Sequence, residues 1–377
     1  MKPKVMIITS VHRWDDTRIF HRQASSLAKY YDVELHAPAD FDSKELNGVR
    51  IVGLPKWKKK RDRAKLWWIL FKRVFKSKAG IVHFHDPELI PLGIVIKFFS
   101  KRKVIYDVHE HVISDIEGKN WIPGYLRLFI IKVFIFLERI CVPKFDAVIY
   151  TTPTVGERYL KLSKRAISIE NYAKIDTFLR TRLNKNKSFP KTAIFLGRVL
   201  DFRGVDRVIK AFQVIVKRIP DARFMIVGDI VPENYEIELR SLRKELELEE
   251  HVEFTGFVPH LETVRYLEQA DCGVVTFLPT EVNKACLPNK LFEYMASALP
   301  VIASDFPLYK EVVESSQCGL CIDPNNIDAI ADAIIRIFKN HDIGLEMGLR
   351  GREAFMKKYN WEKEEKKLLA LYGELCP

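Results

Sequence analysis

Residues 192–206 read TAIFLGRVLDFRGVD and join a strand to a helix through a loop rich in glycine and arginine. The run 192–196 is apolar, with β-branched and aromatic side chains, and predicts a buried strand. From Asp206 to Ile219 apolar residues recur with helical spacing. A strand followed at once by a helix is the repeating unit of a parallel α/β sheet, so this stretch predicts that class of fold.

The same alternation of short apolar runs and helical patterns extends in both directions. Predicted strands lie at 5–9, 33–37, 81–84, 104–107 and 147–151 before this stretch, and at 223–227, 252–255, 272–276 and 301–303 after it. The pattern stops between 171 and 190, where polar residues 185–188 indicate a linker. The chain is therefore predicted to be an α/β protein with two doubly wound Rossmann-like domains facing across a cleft. We expect an N-terminal domain at 1–175, a C-terminal domain at 190–358, and a terminal helix within 359–377 that packs back toward the N-terminal domain.

Composition indicates a globular protein whose charge is unevenly distributed. Of 377 residues, 47% are hydrophobic and 29% are charged, which excludes a disordered tail or a fibre. The formal net charge is +12, but residues 1–180 carry +15 and residues 181–377 carry −3. A basic half favours a negatively charged partner, such as an anionic membrane, a nucleic acid or a phosphorylated substrate.

The stretch 57–78 concentrates this charge, with ten basic residues, one acid and several aromatic side chains. Tryptophan and basic residues on an amphipathic helix suit an anionic membrane surface, so we expect 57–78 to bind one. A solvated helix with a buried apolar stripe is the alternative. Nucleic acid is not expected as a partner, because no RNA-binding signature is present. The most apolar stretch, 126–142, is too short and too charged to cross a bilayer, and the protein is expected in the cytoplasm, peripheral at the inner face of the membrane.

Several classes of cofactor site are disfavoured. The loop after the first predicted strand, residues 10–18, lacks the GxGxxG turn that nicotinamide and flavin enzymes need around a pyrophosphate. No Walker sequence occurs. The six cysteines are scattered, and the single CxxC, Cys318 to Cys321, has no second ligand pair for zinc. We therefore predict no cofactor, no metal ion and no disulfide framework.

The loop after residue 196 has the composition of an anion site. Gly197 follows the strand, Arg198 and Arg203 are five residues apart, and a helix begins next. Backbone amides at a helix start favour a phosphate group, and arginine pairs with phosphate through two parallel hydrogen bonds. Two ordinary surface arginines in a loop are the alternative.

A second candidate helix start lies within 285–296, ACLPNKLFEYMA. Pro288 suits the first helical position, which places Asn289 and Glu293 on one face of the first turns. Lys290 and the free amides there favour a diphosphate, and the Glu293 carboxylate would bind a ribose diol. The alternative is an amphipathic helix with an internal Lys–Glu pair.

Polar clusters also follow strands in the first half. His83, His85, Asp86 and Glu88 follow another predicted strand. They indicate the lining of a cleft or, at Asp86-Pro87-Glu88, a helix N-cap, because zinc requires a convergent third ligand that the sequence does not show. Asp15, Asp16 and Arg18 lie in the first loop. There they either hydrogen-bond an acceptor, as tentative acceptor-binding residues, or cap the helix that follows.

Four motifs together resemble one enzyme family. They are GR…RGVD at 197–206, VGD at 227–229, FTGFV at 254–258 and LPNKLFEYMA at 287–296. Their order and spacing are similar to those of the retaining, family-4 glycosyltransferases, which have the GT-B fold. DVHE at 107–110 also resembles that family, and the likeness covers nearly the whole chain. It implies a nucleotide-diphospho-sugar donor in the C-terminal domain and an acceptor in the N-terminal domain.

The resemblance also implies roles for single residues. Arg198 and Arg203 match the positions that bind the donor diphosphate without metal, and with Lys290 they would stabilise the leaving phosphate. Glu293 matches a glutamate that grips the ribose, and His109 matches a histidine that faces the transferred sugar. The other donor-site residues are expected to be Gly197, Gly228, Asp229, Phe257 and Asn289.

Two positions depart from the family pattern. Arg203 stands where lysine is usual, which keeps the charge but changes the geometry. Ala285 stands where the first glutamate of a Glu-x7-Glu motif is usual, and Glu281 or Lys290 is the candidate to compensate.

The predicted function is transfer of a sugar from a nucleotide diphosphate to a glycan or lipid-linked glycan, with retention, in cell-surface polysaccharide biosynthesis. A nucleotide-sugar 2-epimerase with the same two-domain plan is the alternative enzyme. A basic membrane-binding or nucleic-acid-binding protein is the non-enzymatic alternative.

Overall fold

The computed structural model describes residues 2–56, 63–108, 112–117, 122–178 and 191–375, which leaves the predicted linker at 185–188 outside the described residues. The chain forms two compact units, Met1–Asn171 with Trp361–Pro377, and Tyr172–Asn360. Each unit contains a mostly or wholly parallel sheet whose strands are connected by helices. The predicted fold class, α/β with two doubly wound Rossmann-like domains, is confirmed.

The first unit is built on an eight-stranded sheet with the order β3-β4-β2-β1-β5-β6-β7-β8. Every neighbouring pair is parallel except β3 and β4, which form an antiparallel pair at one edge. The strands are β1 (Lys4–Ile8), β2 (Asp32–Pro38), β3 (Ser43–Leu46), β4 (Val49–Leu54), β5 (Ile81–Phe84), β6 (Lys103–Val108), β7 (Ala147–Tyr150) and β8 (Ala166–Ser168).

Helices cover both faces of this sheet. A π-helical segment, Thr17–Ala24, continues into α1 (Ser25–Leu27) and packs on one face through Phe20. The opposite face is covered by α2 (Arg63–Lys76), α3 (Ile90–Phe99), α5 (Gly124–Cys141) and α6 (Pro153–Leu162), while the short α4 (Val112–Glu117) precedes α5. Alternate residues of the buried strands face the two helical layers, as the two-residue period of a strand requires.

The second unit is built on a six-stranded, fully parallel sheet with the order β11-β10-β9-β12-β13-β14. Its strands are β9 (Thr192–Leu196), β10 (Arg223–Val227), β11 (Val252–Gly256), β12 (Cys272–Val275), β13 (Val301–Ser304) and β14 (Gly319–Ile322). Its helices are α7 (Ile175–Phe178), α8 (Val205–Arg218), α9 (Glu233–Glu245), α10 (Val264–Leu267), α11 (Glu281–Lys284), α12 (Asn289–Ala296), α13 (Pro307–Ser315), α14 (Ile327–Lys339) and α15 (His341–Lys357).

The final helix, α16 (Trp361–Leu375), packs on the first sheet with the N-terminal helical segment. The Trp361 indole donates a hydrogen bond to Ser26 Oγ at 2.9 Å, and Tyr372 Oη lies 2.8 Å from His83 Nδ1. These buried hydrogen bonds attach both ends of α16 to the first unit, to which this helix belongs.

Some elements were not predicted from the sequence. The strands β3, β4, β8 and β14 lack an assignment. Three of them, β3, β8 and β14, are edge strands, which bury only part of their surface and mix polar with apolar residues. The fourth, β4, lies beside an edge strand and has Arg50 and Gly53 within its short apolar run. The sequence pattern of residues 262–270 predicts one helix, but the structure has a 3₁₀ turn, His260–Thr263, that leads into the four-residue α10. The described part of 57–78 forms α2, which begins at Arg63.

Candidate functional site

Three loops meet at the carboxyl ends of β9, β10 and β11. The Gly197 amide donates to the Val227 carbonyl and the Val199 amide to the Asp229 carbonyl, both at 2.7 Å. Gly228 has a φ of +145°, and a Cβ there would lie 2.4 Å from the Gly197 carbonyl oxygen. Only glycine allows this approach. The structure thus brings together the predicted donor residues Gly197, Gly228 and Asp229.

The two predicted arginines lie in the loop between β9 and α8. Gly204 has a φ of +68°, and a Cβ there would lie 2.0 Å from the Thr276 carbonyl oxygen, so the chain turns tightly into α8. Arg203 folds back and donates from Nη1 to the Arg198 carbonyl oxygen at 2.5 Å. Its guanidinium carbon lies 5.4 Å from the Phe277 ring centre, whereas the Arg198 side chain is exposed.

Lys290 is the second residue of α12 and is only 6% exposed. Its Nζ lies 3.3 Å from the centre of the Phe195 ring and 5.2 Å from that of Phe277. Within the described part of the chain, Nζ has no hydrogen-bond partner. Burial lowers the pKa of Lys290 well below its usual range, and the charge of Arg203 lowers it further.

The same site contains a second unpaired donor. Arg203 Nε is buried and, among the described residues, has no hydrogen-bond partner. Burying a donor without a partner costs free energy, and the cost is larger when the group is charged. Two such nitrogens beside a helix start indicate a site whose missing partner is an anion.

Other predicted donor-site residues lie on α12 and in the loop after β11. Glu293 lies one turn after Asn289 on α12 and is buried, and Phe257 is exposed in the loop after β11. Glu281, a candidate to replace the carboxylate absent at Ala285, is exposed and pairs with Lys284 at 3.0 Å. Of the two candidates, only Lys290 is buried in the site, so we favour Lys290.

Sequence reasoning missed the residues that hold the loop in place. Asn283 Nδ2 donates to the carbonyls of Phe202 and Leu278 at 2.9 and 2.8 Å, which ties α11 to the arginine loop. Phe195 and Phe277 form the aromatic walls around Lys290. Both phenylalanines stand at or just after a strand end, which is the signal that marks them as site candidates.

The first unit holds a buried charged cluster at the carboxyl end of β6. Asp107 pairs with Arg18 at 2.9 Å and accepts a 2.5 Å hydrogen bond from Gln23 Nε2. His83 Nε2 and His85 Nδ1 lie 3.6 and 3.7 Å from the Asp107 carboxylate. Despite its burial, the cationic neighbours, foremost Arg18, hold the pKa of Asp107 well below its usual range.

Three of these side chains have the grouping of metal ligands, because donor atoms of His83, His85 and Asp107 lie within 4.8 Å of one another. The Asp107 carboxylate is already paired with a cation, the Arg18 guanidinium. Both histidines are buried, and neither lines an open surface as the sequence suggested.

The tentative acceptor residues have other partners. Arg18 is buried, pairs with Asp107 and donates to the Ile169 carbonyl, which corrects its assignment to an acceptor contact. Asp16 accepts from the Arg18 and Ile19 amides and is a helix cap, and Asp15 pairs with Arg13 at 2.9 Å. The structure therefore favours the capping alternative for Asp16. His109 lies outside the described residues.

The predicted polar cluster also includes Asp86 and Glu88 at the carboxyl edge of the first sheet. Asp86 is the N-cap residue of the 3₁₀ turn Pro87–Leu89, as one of the two interpretations predicts, but its side chain makes no capping hydrogen bond to that turn. Asp86 accepts hydrogen bonds from Thr9 Oγ1 at 2.9 Å and from the Ser10 amide at 2.5 Å. His12 Nε2 lies 3.6 Å from Asp86 Oδ1 and is partly exposed. Burial raises the pKa of Asp86, although His12 and these hydrogen bonds oppose the shift.

Two family models match consecutive parts of the chain. Glycosyltransferase Family 4 matches residues 7–169, and Glycosyl transferases group 1 matches residues 178–354. The GDP-mannose-dependent alpha-(1-6)-phosphatidylinositol monomannoside mannosyltransferase of Mycobacterium tuberculosis is 29% identical over 182 residues, which are 47% of this chain and 46% of that protein. Matches of this kind span about half the length of the curated relatives.

Solved structures extend the likeness to nearly the full chain. Sucrose-phosphate synthase from Thermosynechococcus elongatus has a TM-score of 0.79 at 19% identity and covers 99% of both chains. Anabaena HepE in complex with UDP and glucose has a TM-score of 0.75 at 15% identity, over 99% of this chain and 100% of that one. The structures establish the fold, and the two models cover both units: the chain belongs to the glycosyltransferases of group 1 and family 4, with the GT-B fold.

Proposed function

We propose that this protein transfers a sugar, without a metal ion, from a nucleotide-diphosphate donor to a glycan or lipid-linked glycan. In this proposal the anomeric configuration is retained and the product belongs to cell-surface polysaccharide biosynthesis. The observation that carries the proposal is the Lys290 side-chain nitrogen, which is buried beside Arg203 and has no hydrogen-bond partner among the described residues.

The geometry supports a diphosphate as the missing anion. The donors are Lys290 Nζ, Arg203 Nε and the backbone amides of Asn289 and Lys290 at the start of α12, and the exposed Arg198 adds a further cation. A single carboxylate would not occupy so many donors, whereas two linked phosphates carry enough oxygens. The named relatives agree in chemical class, since one is GDP-mannose-dependent and another was solved with UDP and glucose.

The nucleoside would lie on one side of this diphosphate and the sugar on the other. Glu293 would accept hydrogen bonds from the ribose hydroxyls, and Asn289 lies one turn before it on the same helix. The loops of Asp229 and Phe257 would border the base, and the exposed Phe257 ring is suited to stack on it.

The reaction then requires stabilisation of the leaving phosphate. When the bond between the sugar and the β-phosphate breaks, negative charge develops on that phosphate. Lys290, Arg203 and the α12 amides are in place before the reaction and stabilise this charge without reorganisation. In our proposal an oxygen of the leaving phosphate takes the acceptor hydroxyl proton, so that retention needs no separate protein base. His109 would face the transferred sugar.

A binding panel and a transfer assay test the proposal. Thermal-shift measurements with UDP-, GDP-, ADP- and dTDP-sugars identify the base. Arg198→Ala and Glu293→Ala should abolish transfer while the protein stays folded, and transfer by the unaltered protein should persist in EDTA. Arg218→Ala is the matched control, because Arg218 is in the same unit but pairs at the surface with Asp332. Full transfer by both site variants would disprove the proposal.

A further inference from the structure

Helix α5 turns an apolar side outward. Tyr125 is 75% exposed, Phe129 64% and Phe136 62%, although each has a large hydrophobic ring. The exposed apolar side chains of α5 are Tyr125, Leu126, Leu128, Phe129, Val133, Phe136 and Ile140. Spacings of three and four residues place most of them on one face. Contiguous exposed apolar surface of this extent is uncommon on a protein that has no partner there.

The inward side of α5 is, by contrast, partly polar. Glu138 is fully buried, pairs with Arg158 at 2.6 Å and accepts a short hydrogen bond from Tyr159. Ile131 and Cys141 complete the buried side. The helix therefore has a specific anchor beneath it, and this anchor leaves its largest aromatic rings in contact with solvent.

The exposed charges of α5 all have one sign. Lys132 and Arg139 lie on the exposed side, Arg127 is partly exposed, and the one acidic residue, Glu138, is buried. The neighbouring α3 adds Phe98 and Phe99, which are also exposed. Both helices cross from the carboxyl to the amino edge of the sheet, so the C-terminal ends of α3 and α5 lie at the same edge.

We propose that the α5 face, defined as the exposed side chains of α5 with Phe98 and Phe99, docks on an anionic membrane surface. Aromatic and aliphatic side chains interleaved with lysine and arginine match the interfacial layer of such a membrane, where the rings enter the acyl boundary and the cations meet lipid phosphates. A second copy of the chain fits less well, because a two-fold interface would bring the same cations together.

The α5 helix lies along the membrane surface in this proposal and does not cross it. Within the described ranges, no helix has the length and apolarity that a bilayer span requires. The surface differs from the predicted one at 57–78, since the described part of that stretch exposes one large ring, Trp68, on α2. Membrane docking through the α5 face is independent of the proposed sugar transfer, because it requires neither the sugar donor nor the acceptor.

Vesicle flotation tests the docking. The full-length protein is mixed, without nucleotide, with vesicles of phosphatidylcholine alone or with phosphatidylglycerol added. We expect binding only to the anionic vesicles, and Phe129→Asp combined with Phe136→Asp should weaken it roughly tenfold or more. Lys132→Gln with Arg139→Gln should weaken binding and reduce its salt dependence.

Matched controls separate the α5 face from general exposure of apolar residues. Leu160→Asp on α6 and Ile237→Asp on α9 change exposed apolar residues elsewhere and should leave binding unchanged. Unaltered thermal unfolding shows that each variant is folded.

Three outcomes would overturn the proposal. They are no flotation with anionic vesicles, equal flotation of the Phe129/Phe136 variant, and a concentration-dependent dimer that the same two changes dissociate. Because sugar transfer is not measured, failure of this test is distinct from failure of the proposed function.

Discussion

The substitution Lys290→Met should raise the stability of the second unit and weaken its binding of ligand. The methionine has similar length and is apolar, so it can fill the space against Phe195, where Nζ now lies 3.3 Å from the ring centre. The substitution removes a buried ammonium that, in the described part of the chain, has no hydrogen-bond partner. An unpaired buried donor costs about 1–3 kcal/mol, so the unliganded unit should gain stability of this order. For a unit of this size, at about 2–4 °C per kcal/mol, the melting temperature should rise by about 2–12 °C.

The same change should weaken ligand binding. A hydrogen bond to a charged group contributes about 1.5–3 kcal/mol, so the Kd for the nucleoside diphosphate should increase about 10- to 150-fold. Stability and affinity therefore move in opposite directions, which is the behaviour expected of a residue kept for binding. Lys217→Met, at an exposed lysine of α8, is the control and should change neither quantity.

The stability gain should also depend on pH. Because burial lowers the pKa of Lys290 below its ordinary value of 10.5, the folded unit binds fewer protons than the unfolded unit between those two values. The stability of the unaltered protein therefore rises with pH across that interval. The advantage of Lys290→Met is greatest below the lowered pKa and shrinks as the pH approaches 10.5.

The assay must report on the second unit. All six tryptophans, at positions 14, 57, 67, 68, 121 and 361, belong to the first unit, so their fluorescence follows the wrong half of the protein. Hydrogen exchange of the β9 and α12 amides measures the stability of the second unit, and calorimetry measures the Kd. A destabilised Lys290→Met protein, or one with unchanged Kd, would refute the assignment of Lys290 to an anion site.

Three other substitutions have definite expected outcomes. Glu170→Gln should stabilise the first unit at about pH 8, because burial and the charge of Glu364 raise the pKa of Glu170 from 4.5 to about 7. The protonated Glu170 of the unaltered protein contributes stability that is complete below pH 4.5 and is lost as the pH rises through 7. At about pH 8 the variant should therefore be more stable than the unaltered protein by up to about 3 kcal/mol, measured by tryptophan fluorescence in denaturant titrations. Asp107→Asn should destabilise the same unit by about 3–5 kcal/mol, because Arg18 is left as an uncompensated buried charge. Gly228→Ala should abolish nucleoside-diphosphate binding in calorimetry, because its Cβ would lie 2.4 Å from a carbonyl oxygen of the neighbouring loop.

Each of these expectations has a contrary result. If Glu170→Gln raises the stability by the same amount at about pH 5 and pH 8, ionisation of the Glu170 carboxyl group is not the cause of the gain. An Asp107→Asn protein as stable as the unaltered one would mean that Arg18 finds another partner, and Asp40→Asn, at an exposed ion pair, provides the comparison. Normal affinity in Gly228→Ala would show that the three loops adapt without the close approach.

The clustering of the residues that we propose to bind the donor was largely predictable, and the reason is local. Gly197, Arg198, Arg203 and Lys290 occupy strand ends and helix starts, which short apolar runs and a proline mark in the sequence. Parallel strands place such ends at one edge of a sheet, so their convergence follows from the fold class. The missed Asn283 lies in a four-residue helix with no periodicity to reveal it.

The roles of the charged residues in the first unit were less predictable, because burial decides the role of a charged residue. Arg18, in a polar loop, has the composition of a surface ligand. Its role comes from Asp107, 89 positions away, which lies at the end of a strand that is not adjacent to the first one. The outward face of α5 was also not predictable, because the sequence of this helix resembles that of a core helix. The buried side is identified in the structure by Glu138, which pairs with Arg158, and by Ile131 and Cys141.

Local sequence therefore established the two α/β units, the glycine- and arginine-containing loop at 197–204 of the second unit and the excess of basic residues in the first. Periodicity and helix-start chemistry act over a few residues, and these features need nothing more distant. Tertiary structure decided which charges are paired and which are not. It buried Lys290 between two phenylalanine rings and gave Arg18 a carboxylate partner. Desolvation depends on what surrounds a side chain in space, and that environment comes from residues far apart in the chain.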